Sequence, residues 1–74
     1  MKTLSEMKVV VVGLGQIGGS LAKVFYKKKI FSEIIGVDKD LKTIEKAKRL
    51  KIIHQGTTNL KLAIPQADLV VLAV

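Results

Sequence analysis

The chain has no cysteine and no tryptophan, a single proline, only three aromatic residues and few acids. Each shortage removes a class of protein. Without cysteine there is neither a disulfide framework nor a thiolate metal site. A membrane-spanning helix needs about 20 apolar residues in succession, and the apolar runs here, such as residues 69–74, are far shorter. The opening Met-Lys-Thr-Leu-Ser-Glu lacks the apolar core of a signal peptide. These absences make a cytoplasmic chain without a membrane partner the expectation. Six acids against 13 bases leave a formal net charge of +7, which raises the question of nucleic acid. Nine of the bases, however, fall in two groups (Lys23, Lys27, Lys28, Lys29, then Lys42, Lys46, Lys48, Arg49, Lys51) on the polar sides of amphipathic patterns. Phe25, Tyr26 and Phe31 do not interleave with them as a stacking platform would require. A solvated lysine-rich surface accounts for the charge, and no nucleic-acid partner is expected.

What the chain does have is about half apolar residues, enough for a packed α/β unit. At 74 residues it is shorter than a usual doubly wound domain. The last six residues form an apolar run with no turn residue after it. The expectation is therefore the N-terminal part of a larger domain, truncated at Val74, with no repeat or linker inside it.

The stretch from Met7 to Leu21 organises the rest. An apolar run, Val9 to Val12, meets glycines at Gly13, Gly15 and Gly18 and then a helical pattern, the G-x-G-x-x-G spacing of a dinucleotide-binding turn. In such a turn the first glycine reverses the strand, the second lets backbone approach a pyrophosphate, and the third lets helix pack on strand. The free N–H groups of the first helical turn and the helix dipole favour the anion. Gln16 and Ile17 lie in that first turn.

In chain order, residues 7–12 read as a strand buried on both faces, as in a parallel sheet. Residues 16–28 read as a helix whose stripe Ile17, Leu21, Val24 and Phe25 faces the core, with Ser20 on its polar side. Residues 34–38 form a second, parallel strand ending in Asp38, 20 positions beyond Gly18. An acid there accepts hydrogen bonds from the adenosine ribose. Asp40 suits the N-cap of a helix over residues 41–50, with Glu45 and Arg49 spaced for an i,i+4 pair, and this leaves Asp38 for the ribose. A carboxylate at that point favours NAD over NADP, while Lys39 beside it keeps NADP possible. Ile52-Ile53 suggests a short third strand, and His54 a solvated loop residue. Asn59 caps a short helix over residues 60–64, ended by Pro65. Residues 69–74 make a fourth strand beside the first, giving sheet order 3-2-1-4. That order brings Ala73 and Val74 near the cofactor.

Together, Val-Val-Val-Gly-Leu-Gly-Gln-Ile-Gly-Gly-Ser-Leu-Ala, Ile-Ile-Gly-Val-Asp, the residues Thr43 to Ala47, Gly56-Thr-Thr-Asn59 and Ala67 to Val74 resemble the N-terminal segment of prephenate dehydrogenases, including the arogenate-using relatives. Gly18-Gly19-Ser20 is the most telling local feature. The resemblance implies a Rossmann-like doubly wound α/β fold. It also implies NAD(P)-dependent oxidative decarboxylation of prephenate to 4-hydroxyphenylpyruvate, or of arogenate to tyrosine, by a homodimer with a helical second domain. What it carries onto this sequence is the cofactor half alone: Gly13, Leu14, Gly15, Gln16, Ile17 and Gly18 around the pyrophosphate, and Asp38 with Lys39 at the ribose. The family's catalytic histidine and substrate-holding arginines lie downstream, and His54 does not match the histidine. The rivals are another small-substrate NAD(P) dehydrogenase or reductase and a non-enzymatic NAD-sensing regulatory domain.

Overall fold

A computed structural model describes residues 1–74. Four strands, β1 (Lys8–Val12), β2 (Glu33–Val37), β3 (Gln55–Thr57) and β4 (Leu69–Leu72), form one sheet in the order β3-β2-β1-β4. Every pairing is parallel. Helices α1 (Gln16–Lys27), α2 (Leu41–Arg49) and α3 (Leu60–Ala63) make the crossovers. Parallel strands need such crossovers, and the connections place all strand C-termini at one edge.

The two faces of the sheet carry separate cores. Val9, Val11, Ile34, Leu14, Ala22, Ile44, Ala47 and Ile53 pack together on one face. Val10, Ile35, Val37 and Ala63 pack on the other, under α3. The continuous run Val9-Val10-Val11 is thus fully buried because alternate residues enter different cores.

The structure corrects the expected core face of α1. Ile17 is 72% exposed, Leu21 and Val24 are also exposed, and Phe25 is only half-buried. The residues pressed against the sheet are Gly18 and Ala22. A Cβ at Gly18 would run into the Gly13 carbonyl oxygen. So close an approach admits only small side chains: Ile17, Leu21 and Val24 are turned outward, while Phe25 packs against the core edge-on to Phe31.

The third strand also differs from expectation: it is Gln55–Thr57, and Ile52-Ile53 precedes it. Helix α2 ends with Lys51 in a left-handed conformation (φ 56°). The Lys51 N–H donates to the Lys48 carbonyl and the Ile52 N–H to the Ala47 carbonyl, the pair of bonds that defines a Schellman stop. Ile52 has therefore spent its donor on the helix, and Ile53 fills the core instead of a ladder. Lys29 (φ 52°) ends α1 in the same way, with the Ile30 N–H on the Phe25 carbonyl.

Two smaller expectations change. Pro65 does not stop the short helix abruptly but lies within a 3-10 turn, Ile64–Gln66, that follows α3, where its missing N–H costs nothing. Glu45 and Arg49 form no ion pair; the ion pairs are Lys2–Asp68 and Lys8–Glu33. The caps form as expected, with Asp40 accepting from the Lys42 N–H and Asn59 from the Lys61 N–H. No helix is long and apolar enough to cross a membrane.

Candidate dinucleotide-binding site

At the C-terminal edge of the sheet, the β1 exit turns at Gly13, whose φ of 92° is a left-handed value that favours glycine. A Cβ there would lie 2.8 Å from the Ala73 carbonyl oxygen. The Gly13 N–H donates to the Val37 carbonyl and the Ala73 N–H to the Val12 carbonyl, so the exits of β1, β2 and β4 are laced together. Gly15, the N-cap of α1, has no side-chain cap above it, and a Cβ built on it meets nothing within 4 Å. Its φ is an ordinary −69°, so open space distinguishes this glycine and not backbone strain. The first-turn N–H groups of Gln16, Ile17 and Gly18 have no intrahelical acceptor. Space and unpaired donors therefore coincide at one helix end, as an anionic group requires.

Asp38 stands at the end of β2, half-buried. Its Oδ2 accepts the Leu14 N–H at 2.8 Å and its Oδ1 the Asp40 N–H at 2.9 Å. These two backbone bonds, that from Asp40 the stronger influence, hold its carboxyl below the usual aspartate range, with Lys39 adding attraction against a small opposing effect of burial. The group is thus a fixed anion at neutral pH. A carboxylate has about four acceptor positions, so each oxygen keeps one for a ligand hydroxyl.

A cavity of about 360 Å³ is lined by Val12, Gly13, Val37, Asp38, Lys39, Thr58 and Val74. The structure thus gathers Gly13, Asp38, Lys39 and Val74 around one space, with Ala73 packed behind the glycine turn. Gln16 and Ile17 are exposed beside it at the start of α1. Two sequence-derived candidates are buried and do not line it: Gly18, pressed against the Gly13 carbonyl, and Leu14. Its side chain is only 7% exposed and belongs to the core, and its N–H is occupied by Asp38. Thr58, which the motif reading did not include, lines the cavity because it follows β3 at the same sheet edge. The signal that finds it is topological: it lies just past a strand end in a parallel sheet.

His54 lies at the other end of the sheet. It precedes β3, its Nδ1 accepts the Ile34 N–H at 2.9 Å, and its ring stacks on Tyr26 at 4.4 Å. It completes the β2–β3 ladder and is remote in the fold from the glycine turn. No group of acids and histidines could hold a metal ion.

A parallel 3-2-1-4 sheet with a glycine turn, an open helix N-terminus and a strand-end carboxylate defines an NAD(P)-binding oxidoreductase domain. The sequence pattern of the family described as NADP oxidoreductase, coenzyme F420-dependent, matches residues 8–74, and the chain belongs to that family. Among solved structures, prephenate dehydrogenase from A. aeolicus, in complex with hydroxyphenyl propionate and NAD+, is 38% identical with a TM-score of 0.83. The match covers 96% of this chain and 25% of that one. Myo-inositol 2-dehydrogenase from Lactobacillus plantarum is 21% identical with a TM-score of 0.79, covering 93% of this chain and 21% of that one, a likeness of fold. The chain thus spans about a quarter of the length of the prephenate dehydrogenase it matches.

Proposed function

We propose that this chain is the cofactor-binding part of a prephenate dehydrogenase, using NAD in preference to NADP. The observation that carries the reading is the 38% identity to the A. aeolicus enzyme across 96% of the chain, with the glycine turn and Asp38 in the arrangement a dinucleotide needs. The substrate would be prephenate or arogenate, and the whole protein a homodimer. When bound, the nicotinamide accepts the hydride that leaves the substrate. The residues of this chain hold and orient it. Gln16 and Ile17 N–H groups meet the pyrophosphate over the space at Gly15, Asp38 accepts from the adenosine ribose hydroxyls, and Ala73 and Val74 border the same ligand. Lys39 and Thr58 flank the ribose end of the cavity. Asp38 repels a 2′-phosphate, and this supports NAD. The chain supplies no catalytic residue.

The test is a spectrophotometric assay of reduced nicotinamide with the full-length protein, prephenate or arogenate, and NAD or NADP in separate reactions. Reduction of NAD with prephenate or arogenate is the expected result. NAD binding without turnover on either substrate would overturn the reading. It would favour a different small-substrate NAD(P) oxidoreductase, a class that the family description also supports.

A further inference from the structure

The hydrogen bond from the Leu14 N–H to Asp38 reaches across 24 positions of sequence to join the glycine turn to the end of β2. It is one of two attachments between Leu14 and that strand. The Leu14 side chain occupies the slot left by Gly36, where an added Cβ would lie 2.7 Å from Leu14 Cδ1. Gly36 in β2 and Asp38 just past its end, two residues apart, therefore grip the side chain and the backbone of the same turn residue. Leu14 lies between Gly13, which sets the reversal, and Gly15, which carries the open space. Its placement fixes where the donors of Gln16 and Ile17 point. The Asp40 N–H on the other carboxylate oxygen holds the Asp38 side chain in turn, from the start of the next helix.

We infer that Asp38 is a positioning residue for the glycine turn, setting the pyrophosphate end of the site through the Leu14 N–H as well as facing the ribose. The inference rests on the dinucleotide-binding reading but predicts something that reading does not: loss of Asp38 weakens ligands that have no ribose hydroxyl for it to hold. Exchanging this acid to admit NADP would for the same reason loosen the turn that both cofactors share.

The experiment uses the full-length protein and calorimetric titration with NAD and with an NAD analogue lacking the adenosine 2′- and 3′-hydroxyls. Asp38→Ala is expected to weaken the analogue about fivefold or more, the scale of one hydrogen bond. Asp38→Asn, which keeps one acceptor oxygen, should fall between that variant and the parent. Equal affinity of parent and Asp38→Ala for the analogue would overturn the inference. A second readout needs no cofactor: exchange of the Leu14 amide should quicken about tenfold or more in Asp38→Ala, while the Val10 and Ile34 amides keep their protection. An unchanged Leu14 amide would also overturn it. If the parent binds neither dinucleotide, the cofactor reading fails, and the Leu14 amide still decides whether the carboxylate holds the turn.

Discussion

β1 and β4 are adjacent parallel strands of nearly the same composition, Lys-Val-Val-Val-Val and Leu-Val-Val-Leu, yet they live in different surroundings. Val10 is fully buried, whereas its register partner Val70 is 38% exposed and Leu72 is 70% exposed. Within residues 1–74, β1 has a strand on each side and a core on each face, whereas β4 is paired on one side. Hydropathy alone does not distinguish the two. Among residues 1–74, the number of strand neighbours does, two for β1 and one for β4.

The sharpest test of that contrast is a matched pair of substitutions. Val10→Asp puts an unpaired carboxylate into a sealed core and should cost about 4 kcal/mol or more, enough to unfold a marginal chain. Val70→Asp, at the partner position, should cost the 74-residue chain about 1 kcal/mol or less. Urea unfolding of both variants measures the gap, and equal losses would mean that the two strands are equally enclosed.

The next effect lies where the two strands leave the sheet. Gly13→Ala forces a side chain into a left-handed backbone and against the Ala73 carbonyl, which should cost about 2 kcal/mol. Gly15→Ala, with nothing near it, should leave thermal stability within about 0.5 kcal/mol while weakening NAD in a titration. A stability loss at Gly15 as large as at Gly13 would show that the turn tolerates no side chain anywhere, whatever the ligand.

The smallest effect joins the strands at their other end. Asp68, just before β4, accepts the Lys8 N–H at 2.8 Å and pairs with Lys2. The Lys8 bond first, and then the Lys2 bond, hold its carboxyl below the usual aspartate range. Because the folded pKa is lowered, the stabilisation is present above the unfolded value of about 4 and is lost as pH falls through the folded one. Urea midpoints measured from about pH 6 down to pH 2 should therefore fall, and Asp68→Asn should flatten part of that decline. Asp38 contributes with the same sign, so the slope should not vanish entirely.

Much of the fold was legible because the relevant signals were local. Val9 to Val12 followed by Gly13, Gly15 and Gly18 specified a strand, a turn and a helix. Asp40 and Asn59 announced the two later helices as caps, and crossover length dictated parallel pairing. Where structure and sequence pattern part, the cause is a contact or conformation that the pattern does not carry. Apolar Ile17, Leu21 and Val24 predict a core face on α1, but the close approach at Gly18 turns that part of the helix outward. Ile52-Ile53 suggests a strand, but Lys51 takes the left-handed conformation usual for a glycine and stops α2 there, so that Ile52 bonds back to the helix. Thr58 reaches the cavity through topology alone.

The sequence by itself determined the order of elements, the glycine turn, the strand-end acid and the sheet order, since each follows from spacing, capping and the handedness of parallel crossovers. Only the tertiary structure decided which apolar residues are buried. It also decided that Leu14 serves the core and not the cavity, that Asp38 grips the backbone of the glycine turn, and that His54 sits at the opposite end of the sheet. The last two depend on contacts between residues 20 or more positions apart, Leu14 with Asp38 and Ile34 with His54. A pattern read along the chain has no term for such distances.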